Sequence, residues 1–88
     1  MENYNHSSNM AIDITFQFIK ERMAELGISQ HQLSIKIDVS HSTLARNFRK
    51  ETEMSLPSYY KICGALNLRP FLVPSEDDDT VMNRVSFN

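Results

Sequence analysis

Among the side chains of residues 41–50 that can donate hydrogen bonds, six stand out: His41, Ser42, Thr43, Arg46, Arg49 and Lys50. If this stretch is a helix turning by about 100° per residue, with Leu44 and Phe48 inward, then Ser42, Arg46 and Arg49 face the opposite way. Thr43 and Lys50 flank them and His41 stands at the N-terminal tip. Such a face can recognise polar, anionic surfaces. A guanidinium donates two parallel bonds to one base edge, as to O6 and N7 of guanine, and ammonium or hydroxyl groups contact phosphate. A solvated helix face has the same composition, so the meaning of these residues depends on the elements that carry them.

Other chemistries find less support. His6, His31 and His41 have no spacing that gathers a metal ion. Cys63 falls on the apolar side of a predicted helix with no histidine nearby, and reads as a buried, inert thiol. Tyr59 and Tyr60 read as one core ring and one surface ring. The only glycines are Gly27 and Gly64, so there is no glycine-rich phosphate loop. No catalytic residue, metal or cofactor is expected, and the chain does not read as an enzyme.

Eighty-eight residues make one small domain, and 41% hydrophobic residues can form a modest core. The net charge of -2 excludes a tail that binds nucleic acid by bulk basicity. The charge is uneven, however: residues 15–73 are mildly basic, and the run Glu76, Asp77, Asp78, Asp79 reads as a solvated linker. A single cysteine allows no intramolecular disulfide, which fits a cytoplasmic location. The opening MENYNHSSNM lacks a signal-peptide pattern, and no apolar run is long enough to span a membrane.

The elements follow from apolar spacing and caps. Residues 1–11 are polar and aperiodic, and are expected to form a flexible arm. Ile12, Phe16, Ile19, Met23 and Leu26 predict a first helix, closed by Gly27. Ser29 and Gln32 form a capping box, with Ile28 stapling onto Leu33, and open a short second helix that ends at Ile37. Asp38, Val39 and Ser40 interrupt it. Ser40 caps a third helix to about Arg49, with Val39 stapling onto Leu44. Ser55 caps a fourth helix, with Pro57 in its first turn and Tyr59, Ile62, Cys63 and Leu66 inward. Leu68–Val73 reads as an edge strand or an extended segment, since Pro70 cannot sit in a central strand. Val81, Val85 and Phe87 alternate weakly, which suits either a second strand or an unstructured tail.

Two short helices joined by three residues have the helix-turn-helix layout. Small Ser34 lets the backbones approach, Asp38 supplies a left-handed residue, Val39 plugs the corner, and Leu33, Ile37 and Leu44 fill the shared core. In this layout the N-terminal part of the second member faces base edges. His41, Ser42 and Arg46 are therefore the candidate base contacts. Gln30, Ser40, Thr43, Arg49 and Lys50 are the candidate phosphate contacts, with Ser55, Ser58 and Lys36 weaker ones.

Gln30-His31-Gln32-Leu33-Ser34, Ile37-Asp38-Val39-Ser40 and Ser42-Thr43-Leu44-Ala45-Arg46 resemble the Cro/phage-repressor (XRE) helix-turn-helix pattern. Pro57, Ile62 and Ala65-Leu66 resemble that family's fourth helix. The resemblance covers residues 12–68, and leaves 1–11 as the arm and 69–88 as a C-terminal segment with the acidic linker. It implies an all-α, lambda-repressor-like domain of four to five helices, with a short C-terminal β-strand or extended dimerisation segment. It also implies sequence-specific binding to double-stranded DNA as a homodimer on a palindromic operator, with a role as a transcriptional repressor. The stretch after the fourth helix, where family members often dimerise, makes Phe71, Leu72 and Val73 the candidate dimer contacts. The alternative is an antitoxin that binds both DNA and a toxin protein. Two residues depart from the family pattern. Asp38 stands where the family prefers glycine, and Asn47 stands where it prefers an apolar residue. The second departure predicts that Phe48 takes the inward place and that the last turn of the third helix is rotated or differently packed.

Overall fold

A computed structural model of the chain describes residues 4–74. Four helices follow one another: α1 Tyr4–Leu26, α2 Gln30–Ile37, α3 His41–Phe48 and α4 Leu56–Ala65. The architecture is all-α, with no strand among the described residues. Leu68–Val73, expected as an edge strand or an extended segment, lies in a stretch without regular secondary structure. The acidic linker and the alternation through Val81, Val85 and Phe87 lie outside the described residues.

The N-terminal expectation needs correcting. Helix α1 begins at Tyr4, so residues 4–11 are helical where an arm was expected. Every residue from Tyr4 to Ile14 is exposed. This part packs no apolar stripe against the core, so its helicity leaves no periodic signal. It extends a helix already nucleated downstream, where each added residue gains a backbone bond without the cost of starting a new turn.

Each of the three later helices starts on a serine whose hydroxyl accepts an otherwise unpaired backbone N–H. Ser29 accepts from Gln32 (3.1 Å), while the Gln32 side chain accepts from the Ser29 N–H (2.8 Å), completing the capping box. Ser40 accepts from Thr43 (3.1 Å) and Ser55 from Ser58 (3.2 Å). All four helices end alike. Gly27, Asp38, Lys50 and Asn67 take left-handed backbone angles. The N–H of the residue after each reaches back five residues: Ile28 to Met23, Val39 to Ser34, Glu51 to Arg46 and Leu68 to Cys63. These bonds satisfy helix carbonyls that would otherwise lack a partner. At Asp38 (φ 58°, ψ 48°) the left-handed turn expected between α2 and α3 is present without a glycine.

One core unites the helices. Ile19 and Met23 of α1, Leu33 and Ile37 of α2, Leu44 and Phe48 of α3, and Ile62 and Leu66 at α4 form it, with Ile28, Val39 and Tyr59 half-buried against it. Ser34 is buried, and its hydroxyl donates to the His31 carbonyl (2.6 Å), so the small residue at the α2–α3 crossing carries no unpaired polar group. Arg22 Nε donates to the Leu66 carbonyl (3.0 Å) and ties α1 to the end of α4. Cys63 is buried, Tyr59 half-buried and Tyr60 exposed.

Candidate nucleic-acid interface

The exposed side of α3 begins at its cap. The Ser40 hydroxyl accepts the Thr43 N–H, donates to Thr43 Oγ1 (2.7 Å) and lies 3.3 Å from Ser42 Oγ. This small hydroxyl cluster fixes the first turn of the helix. It also commits Ser40 to capping, which limits its use as a phosphate contact. His41 opens the helix and is exposed, as are Ser42, Thr43 and Arg46.

Histidines separate in sequence meet at this end. The His31 and His41 rings stand edge to face, with centroids 5.2 Å apart. The first turns of α2 and α3 therefore form one edge, which also holds Gln30 as the first residue of α2. Sequence spacing gave no hint of this approach, because the two residues lie in different helices. It depends on the left-handed turn of the chain at Asp38.

Arg46 lies one turn further along α3. Among the described residues no hydrogen bond or ion pair involving its guanidinium is found. It lines a notch with Thr43, Asn47, Thr52, Glu53, Ser55 and Ser58, so the weaker phosphate candidates Ser55 and Ser58 stand beside it. The Ser55 hydroxyl is used twice within α4, accepting from the Ser58 N–H and donating to Ser58 Oγ (3.0 Å).

The other two cations of this region are held. Arg49 Nε donates to Glu51 Oε2 (2.7 Å) and its NH2 group to Glu51 Oε1 (3.5 Å). The hydrogen bond and then the charge of Arg49 hold the Glu51 carboxyl below the ordinary carboxylate range, and Arg46 adds a weaker attraction. The same bond and charge raise the Arg49 guanidinium. The Lys50 ammonium donates to Asp13 Oδ1 on α1, and both side chains are exposed. Neither acid was among the sequence candidates. Asp13 lies 37 residues from its partner, and Glu51 gives no periodic signal.

The end of α3 also corrects an expectation. Asn47 and Phe48 both point inward, being 4% and 5% exposed. Asn47 Nδ2 donates to Thr52 Oγ1 (2.9 Å) and lies 3.4 Å from the Thr52 carbonyl. Phe48 packs edge to face on Phe16, with ring centroids 5.3 Å apart. Phe48 does not displace Asn47. The polar residue stays inward because the following loop supplies its partners, and it pins that loop beside the notch.

Beyond α4, Phe71, Leu72 and Val73 are exposed by 78%, 98% and 50%. The described residues contain no group of three or more histidine, cysteine or acidic side chains suited to a metal. No helix among them is long and apolar enough to cross a membrane.

No curated protein and no solved structure gives a significant match to the chain. The family model described as helix-turn-helix matches residues 19–73, from the buried half of α1 to Val73. The match spans well over half the sequence and takes in the α2–α3 pair, the notch around Arg46 and all of α4. This chain therefore belongs to the helix-turn-helix family of the Cro/phage-repressor (XRE) type, a family of DNA-binding transcription regulators.

Proposed function

We propose that this DNA-binding regulator is a repressor that docks as a homodimer on a palindromic operator. In this reading His41, Ser42 and Arg46 contact bases, while Gln30, Thr43, Arg49 and Lys50 contact phosphates. Ser40 fixes the helix start and offers at most a lone pair. The observation that carries the reading is the exposed Arg46 on the outer side of α3, with no ion pair among the described residues, one turn from a capped helix start. A guanidinium so placed can enter the major groove without first leaving a carboxylate. The consecutive exposed side chains Phe71, Leu72 and Val73 support an isologous contact, in which a second copy covers the same patch.

Selection of bound duplexes from a random library tests the reading. The expected product is a sequence with two inverted half-sites about one helical turn apart. Arg46→Ala is expected to lose about 1–3 kcal/mol of discrimination at the base it reads, with the melting temperature almost unchanged. Failure to enrich any sequence would refute the assignment, as would an Arg46→Ala protein that unfolds instead of losing its preference.

A further inference from the structure

The three cations around the end of α3 are not equivalent. Arg46, the candidate base reader, forms no ion pair or hydrogen bond with a carboxylate among the described residues, and feels Glu51 only as a weaker, more distant charge. Arg49 and Lys50, the candidate phosphate contacts, are each paired with an acid. From this contrast we propose that Asp13 and Glu51 are counter-charges that set how strongly the domain grips DNA: they hold Lys50 and Arg49 in the free protein, and a phosphate must displace them. The proposal rests on the DNA-binding reading above and adds to it two residues and a mode of tuning.

The placement supports a role in binding more than one in stability. Both pairs are exposed, and exposed pairs contribute little to folding. Their main effect is on what the cations can touch. Glu51 is delivered to Arg49 by the left-handed turn at Lys50, which folds the chain back so that the Glu51 N–H reaches the Arg46 carbonyl (2.9 Å). Asp13 is delivered by α1, from a position before that helix's buried residues Ile19 and Met23. With Arg49 and Lys50 so engaged, a phosphate contact yields only the difference between two ion pairs. Phosphate contacts carry no sequence information of their own, so the acids act mainly by weakening the grip on any duplex; the pull of Glu51 on Arg46 is weaker than its pull on Arg49. Added salt weakens the internal pairs as well as the external ones, which flattens the salt dependence of binding.

The test is anisotropy of a labelled random-sequence duplex titrated with the full chain over a series of potassium chloride concentrations. Asp13→Asn combined with Glu51→Gln is expected to bind about fivefold tighter at low salt. Its log K is expected to fall more steeply with log salt, by up to about 0.9 for each cation released. Glu21→Gln combined with Glu25→Gln makes the same change in net charge on exposed acids of α1 that face Gln17 and Arg22 instead. Its expected gain is less than half as large. Adding Arg49→Ala and Lys50→Ala to the first variant is expected to erase its gain. Equal gains from the two acid pairs would overturn the inference, as would a gain that survives loss of both cations, or unchanged affinity and slope. If the unaltered protein binds no duplex at all, the DNA reading itself fails, a result distinct from any of these.

Discussion

Helices α2 and α3 are eight residues each, too short to persist alone, whereas α1 runs for 23 residues and its first half buries no residue. The two regions are helical for different reasons. In α2 and α3 each end has a named partner: Ser29 with Gln32, Asp38 with Ser34 and Ile35, Ser40 with Thr43, and Arg49 with Ala45. Leu33 and Leu44 are fully buried between them. From Tyr4 to Ile14, by contrast, every residue of α1 is exposed, and the helix is anchored further on by Phe16, Ile19 and Met23. The contrast teaches that a short helix needs dedicated local chemistry at both ends, while a long one can extend past its last packed turn without burying further apolar surface.

Proline placed in each region breaks or sharpens that contrast. Ile35→Pro, at an exposed position inside α2, is expected to cost about 3 kcal/mol or more, a large part of the stability of so small a domain. Thermal or urea unfolding should show most of the fold lost and DNA binding lost with it. Asn47→Ala, at the junction of α3 with its loop, is expected to cost about 1 kcal/mol by removing the bonds that tie the loop at Thr52 to the helix, since the exposed Thr52 groups can turn to water. The smallest effect belongs to Asn9→Pro in α1. It should lower stability by less than about 1 kcal/mol, because the turns before it can fray without exposing the core. If Asn9→Pro proved as damaging as Ile35→Pro, the first half of α1 would be part of the cooperative unit and the comparison would fall.

Legibility in the sequence followed the same division. The capping box, the serine caps, the left-handed Asp38 and the inward Leu33, Ile37 and Leu44 were readable because each is set within a few residues. Residues 4–11 were unreadable as helix because an exposed extension needs no apolar period. Asn47 was readable only as a departure from the family pattern. Its partner Thr52 lies in a loop whose path depends on the left-handed turn at Lys50. The site was legible as a set of residue types on one helix face, including Arg46. The pairing that distinguishes its three cations was not.

The amino-acid sequence by itself determined the packed parts of the four helices, the starts of α2, α3 and α4 and most of the stops, because caps and apolar spacing act over one or two turns. Tertiary structure alone decided which groups from distant segments meet: His31 with His41, and Lys50 with Asp13. The physical reason is range. A backbone cap finds its partner along one turn of chain, whereas a side chain from another helix arrives only after the core has fixed how the helices cross.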